Sequence, residues 1–157
     1  RIQEKICTVV KNNTGFNVGL HKRNGTNLQS KQTKGPYNEN DFDILRVHLL
    51  CKVDDLGKVS FKRENYNIEY NGKDYDLAIN HIKSWKLFGY WDIPMHKLIS
   101  ENYVSTKNQK GKQALHTFLP EEVANSIKYE LPKRIKKKGS QKTSLWTREY
   151  FHKVYKN

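Results

Sequence analysis

Apolar and polar residues alternate with a period of two through much of this chain, the pattern of half-buried strands. Ile2 to Val10 (IQEKICTVV) ends on β-branched residues and stops at the turn-forming run Lys11-Asn12-Asn13-Thr14-Gly15. Phe16, Val18 and Leu20 then alternate with Asn17, Gly19 and His21, so the two runs predict a hairpin. Arg23 to Asn40 is polar, holds two Gly and one Pro, and predicts a loop. Phe42 to Cys51 (FDILRVHLLC) is the most apolar stretch. It predicts a central strand; a short helix is the alternative, and the turn-like Val53-Asp54-Asp55-Leu56-Gly57 after it favours the strand.

Lys58 to Arg63 predicts a short strand. Tyr66, Ile68 and Tyr70 lead into Asn71-Gly72, a strong hairpin turn, and Tyr75, Leu77 and Ile79 alternate after it. Trp85 to Ile93 is aromatic-rich and strand-like, and Pro94 suits the start of a helix over Met95 to Tyr103. Gln113 to Leu119 predicts a last short strand. Pro120-Glu121-Glu122 opens a helix, with acids where the dipole favours them, that runs to Leu131 before Pro132. Leu145 to Tyr155 predicts a terminal helix. Strands first and short helices later imply an α+β fold. The expected architecture is a mixed, largely antiparallel sheet flanked by short helices, with a basic C-terminal helical appendage. The implied division is a core over residues 1–131 and a basic linker with terminal helix over 132–157.

Charge changes the picture most. Of 157 residues, 29 are Lys or Arg and 16 are Asp or Glu, a formal net charge of +13. Residues 133–157 hold nine of the cations and one acid, Glu149. A cationic field of this kind favours phosphate-bearing partners. Lys133, Arg134, Lys136, Lys137, Lys138 and Lys142 lie close enough together to neutralise several phosphates and release counterions. Trp146, Tyr150, Phe151 and Tyr155 follow, interleaved with Arg148, Lys153 and Lys156. Cations beside aromatics suit stacking on unpaired bases, so Trp146 and Arg148 join the basic run as candidate contacts to DNA or RNA. The competing readings are a solvated tail or address signal for the run, and a core face for the aromatics. Lys107 to Lys112 (KNQKGK) is a second basic loop, a phosphate contact or a solvated tip.

The remaining composition sets bounds. The aromatic share of 11%, with three Trp, nine Tyr and six Phe, supports a folded core. No apolar run approaches the ~20 residues that span a bilayer, so no membrane partner is expected. Cys7 and Cys51 lie in apolar runs without a CxxC pair. The expectation is buried free thiols in an intracellular, reducing compartment. The six histidines are scattered, without an HExxH or an i,i+4 pair, and read as surface or structural groups. The chain begins at Arg1 rather than Met, so a fragment or a processed chain is expected. A homo-oligomer or a larger assembly stays open.

Two further groups carry chemistry. Gln3 and Lys5 alternate with Glu4 and share one strand face. Such a pair can place a metal ligand beside a cation that stabilises phosphate charge; the plain alternative is an edge strand with solvated charges. Asp41 and Asp43, with Glu39 nearby, would share a face if they stood on a strand, and could then hold a hard cation. The plain alternative there is an Asp turn or cap. Asp54-Asp55 before Gly57 reads as a turn.

Gln3-x-Lys5, the hairpin sequence GFNVGLHK, Tyr37, Asp41-Phe42-Asp43 before the apolar ILRVHLL, and Gly89-Tyr90-Trp91-Asp92-Ile93-Pro94 make a string. It resembles the later part of the PD-(D/E)XK nuclease superfamily, in its homing-endonuclease-like and resolvase-like branch, over roughly residues 1–98. The resemblance implies a mixed sheet with flanking helices and Mg²⁺-dependent phosphodiester cleavage. By it Lys5 is the catalytic lysine and Gln3 takes the second acidic position. Two departures stand out: the family's first metal-binding Asp belongs upstream of this strand, and Gln is a poorer Mg²⁺ ligand than a carboxylate. The alternative function is a non-catalytic RNA-binding subunit of a ribonucleoprotein assembly.

Overall fold

The computed structural model describes residues 1–9, 15–24, 33–61, 85–128 and 144–156. Its strands are β1 (Ile2–Ile6), β2 (Thr8–Val9), β3 (Phe16–Gly19), β4 (His21–Asn24), β5 (Thr33–Pro36), β6 (Ile44–Val53), β7 (Val59–Ser60), β8 (Lys86–Pro94), β9 (Ala114–Thr117) and β10 (Phe151–Lys153). Its helices are α1 (Met95–Ser100), α2 (Glu121–Ser126) and a 3-10 helix at Leu145–Tyr150. The fold is α+β. The main sheet is mixed and largely antiparallel, in the order β1-β6-β8-β10, with β7 paired to β6. β1 runs parallel to β6, while β7, β8 and β10 pair antiparallel. A second sheet joins β2, β3 and β9, and β4 pairs with β5 alone.

β6 earns its central place through strict alternation. Leu45, Val47, Leu49 and Cys51 are buried, and Ile44, Arg46, His48 and Leu50 face the other way. β8 alternates less cleanly because its register with β6 shifts between Leu49, opposite Gly89, and Leu50, opposite Leu87. Phe88 is the extra residue. The bulge turns it inward with Trp91 and Ile93, so all three are fully buried. Phe16 of β3 meets Trp91 at 5.7 Å and Phe61 at 5.4 Å, and Phe61 meets Phe88 at 5.1 Å. This aromatic seam packs the second sheet onto the inner face of the first.

Several expectations hold and several do not. The run expected as one strand from Ile2 divides at Cys7, whose N–H donates to the His48 carbonyl; β1 belongs to the main sheet and β2 to the second. β2 then forms the expected hairpin with β3. The expected loop at 23–40 instead contributes to the antiparallel β4–β5 pair. Backbone pairing needs no apolar side chains, so a polar sequence did not announce it. α1 ends at Ser100 and Asn102 takes a positive φ of 63°, which frees Tyr103 to enter the core. α2 ends at Ser126, short of Leu131, with Lys128 at a φ of 55°. The expected turn at Asp54 forms: its Oδ1 accepts from the N–H groups of Leu56 and Lys58, and Gly57 has a φ of 80°.

The single helix expected over Leu145–Tyr155 resolves into the 3-10 helix followed by β10. Phe151 has a stronger option than another helical turn. It pairs with Trp91 in the sheet and packs against that ring at 4.9 Å. The hairpin expected over 66–79 and the basic run 133–142 lie outside the described residues. Cys7 and Cys51 are buried and unbridged. Among the described residues no helix is long and apolar enough to cross a membrane.

Candidate nucleic-acid interface

The 3-10 helix is fastened by two buried polar residues. The Thr147 hydroxyl donates to the Ser144 carbonyl at 2.7 Å and accepts from the Phe118 N–H at 3.0 Å. That anchor leaves Trp146 and Arg148 half-buried at the surface. The Trp146 ring lies 6.0 Å from Tyr103 and 6.0 Å from Tyr150. Lys97 of α1 places Nζ 5.3 Å from the Trp146 ring, and Lys112 places Nζ 4.6 Å from the Tyr103 ring. Lys97 also pairs with Glu101 at 3.1 Å. Among the described residues, Arg148 Nε and Trp146 Nε1 are buried without a hydrogen-bond partner.

The loop bearing Lys107, Lys110 and Lys112 is held in shape by its own bonds. Gln109 Nε2 donates to the carbonyls of Ile99 and Val104, and the Gly111 N–H donates to Ser105 Oγ. A Cβ at Gly111 would stand 2.7 Å from Ser105 N, so only glycine permits this approach. Lys107, Lys110 and Lys112 are exposed. Of the expected contacts, then, Trp146 comes together with Lys97, and through the Tyr103 ring with Lys112, whereas Arg148 stands two positions further along the 3-10 helix. Lys97 was missed because α1 and the 3-10 helix are far apart in sequence.

The Gln3–Lys5 group is arranged differently. Both residues are half-buried on the inner side of β1, while Ile2, Glu4 and Ile6 are exposed on the open side. Lys5 Nζ lies 5.3 Å from the Tyr37 ring, and Gln3 Nε2 makes only a 3.5 Å approach to the Glu4 carbonyl. Asp41 and Asp43 precede β6 and do not share a strand face. Asp41 accepts from Lys22 Nζ at 2.8 Å and from the Asn38 N–H at 2.7 Å. Partial burial pushes its carboxyl upward, but the Asn38 and Lys22 bonds prevail and hold it below its usual range. Asp43 accepts from the Arg1 amino group at 2.6 Å. Asp41 therefore faces a cation, and among the described residues no group of three His, Cys, Asp or Glu could hold a metal. The described residues do not fit the Mg²⁺ that the resemblance implies.

The open face of the main sheet carries a group the sequence reading did not assemble. Arg46 Nε and Nη2 donate to Asp92 Oδ1 and Oδ2 at 2.7 and 2.8 Å, and the guanidinium lies 4.8 Å from the Tyr90 ring. His48 Nε2 is 3.2 Å from Glu4 Oε1. His152 stacks on Tyr90 at 5.0 Å, and His48 lies 6.5 Å from that ring. The Arg46 bond, and more weakly His152 and His48, hold the Asp92 carboxyl below its usual range. Strand alternation put Arg46 with His48 and Tyr90 with Asp92, but only register places the two pairs opposite each other.

No protein-family model and no curated protein matches this chain. Among solved structures it is similar to the crystal structure of MepB, with a TM-score of 0.55 and 15% identity over 99% of this chain and 72% of that one. At that identity the likeness concerns the fold alone.

Proposed function

We propose that this protein binds RNA or DNA through phosphate contacts on the face where Lys97, Trp146, Tyr103 and Lys112 converge, with Arg148 two positions beyond Trp146. The supporting observation is the alternation of cations and rings there: Lys97 against Trp146, Trp146 against Tyr103, and Tyr103 against Lys112. Cations neutralise the backbone, and a partly exposed indole offers a stacking surface worth about 1–3 kcal/mol per base. The lysines of 107–112 extend the positive surface on one side. The run from Lys133 to Lys142 adds further cations from sequence. The +13 net charge draws the polyanion in, and the convergent face fixes its position.

Fluorescence anisotropy with labelled oligonucleotides at rising salt tests this. If six cations engage duplex, the log–log slope is about −5, at ~0.9 per phosphate. Lys112→Ala with Arg148→Ala brings the slope closer to zero by about 2. Lys136, Lys137 and Lys138 changed together to Ala weaken binding at low salt. Association absent at low salt, or indifferent to salt, overturns the reading.

A further inference from the structure

The open face of the main sheet brings together groups that the proposed binding does not use. Glu4, Arg46, His48, Tyr90, Asp92 and His152 come from four strands and stand on one side of the sheet. The two imidazoles flank Tyr90, at 6.5 and 5.0 Å from its ring. Their surroundings differ. His48 has a carboxylate 3.2 Å from Nε2, whereas His152 is exposed and stacked on a phenol ring. A carboxylate at Nε2 favours the tautomer with its proton there, leaving the lone pair on Nδ1 to accept a proton. Arg46 gives two bonds to Asp92 and keeps the rest of its five N–H donors outside that pair. A base, an acid and a fixed guanidinium on one open surface are the groups that phosphodiester transesterification requires without a metal.

We propose that this face cleaves RNA by metal-independent transesterification, a proposal that rests on the nucleic-acid-binding reading above. His48 takes the proton of the ribose 2′-hydroxyl. The 2′-oxygen forms a bond to phosphorus and the P–O5′ bond breaks. Its electron pair leaves on O5′, which takes a proton from protonated His152. The products are a 2′,3′-cyclic phosphate and a 5′-hydroxyl, and no oxidant, reductant or further reactant enters. Arg46 faces the charge that develops on the phosphate oxygens, and Asp92 holds the guanidinium in place. Glu4 is a positioning residue acting through His48. The reaction needs the 2′-hydroxyl, so DNA of the same sequence binds and is not cut.

The test incubates the full chain with labelled RNA and the matching DNA in EDTA, and reads both binding and cleavage from each sample. Expected are RNA fragments ending in 2′,3′-cyclic phosphate, a bell-shaped pH–rate profile, and intact DNA. His48→Ala and His152→Ala each lower the rate at least 100-fold, in line with the 10²–10⁴ of one acid or base. His48→Gln and His152→Gln guard against a folding defect, and all variants are compared by thermal melting. Glu4→Gln lowers kcat with KM unchanged, because the carboxylate no longer holds His48 in the tautomer with Nδ1 free. RNA that is bound and left intact, or cut equally by the His48→Ala, His152→Ala double variant, overturns the cleavage proposal and leaves the binding reading standing. Absence of binding removes both.

Discussion

The indole Nε1 of Trp91 donates to the Phe118 carbonyl across 3.0 Å in the buried interior. Trp91 is fully buried and packs against both Phe16 and Phe151. One residue thus ties the main sheet to the second sheet, to the end of β9 and to β10. Trp91→Phe keeps a ring but leaves that carbonyl unpaired. The expected loss is about 1–3 kcal/mol, read from the urea midpoint at constant slope. An unchanged midpoint would mean the bond contributes nothing.

Gly89 is set by the close approach of β10. A Cβ there would stand 2.5 Å from the His152 carbonyl oxygen and 2.5 Å from the Phe151 ring. Backbone is not free to yield, so Gly89→Ala should cost about 1–3 kcal/mol and loosen β10. Hydrogen exchange of the Phe151 to Lys153 amides is the readout: faster exchange there, with β6 unchanged, is expected.

The Arg46–Asp92 pair predicts an acid-side loss of stability. The Arg46 bond holds the Asp92 carboxyl below its usual 3.8 in the folded state. The stability it confers is present above 3.8 and is lost as pH falls through the lower folded value. Asp92→Asn should be less stable than the parent at pH 7, by about 1–2 kcal/mol given its part exposure. The difference should shrink as pH falls below 3.8. Thermal melting of both proteins against pH checks it, and a constant difference would remove the assignment.

His116 predicts a loss at milder pH. Burial pushes its imidazole below the usual 6.5, and among the described residues its Nδ1 has no hydrogen-bond partner. The unfolded chain takes up this proton first, so stability falls as pH drops below 6.5. His116→Gln should flatten that part of the stability curve relative to the parent. Equal slopes in the two proteins between pH 6.5 and the folded value would refute it.

Local pattern decided a good deal here. The alternation of Leu45, Val47 and Leu49 with Arg46 and His48 specifies a half-buried central strand whatever surrounds it, because side chains leave a strand on alternate faces. Asp54 to Gly57 specifies its own turn, and Pro94 and Pro120 each stand at the start of a helix. The mixed, largely antiparallel sheet with short helices follows from the order of such elements. The excess of positive charge is likewise a property of composition alone.

Register and competition between elements were decided only in three dimensions. Residues 145–155 have a helical look, but Phe151 gains more from Trp91 than from another turn of helix, and that partner lies 60 positions away. Asp41 and Asp43 look paired in sequence, yet one turns to Lys22 and the other to Arg1. Lys97 meets Trp146, and His48 and His152 meet across Tyr90, because β6, β8, β10 and the 3-10 helix pack as they do. Spacing along a chain carries no information about such meetings. Those on the sheet are settled by which backbone strands bond to which, and a shift of one residue would send His48, Tyr90 or His152 to the opposite face.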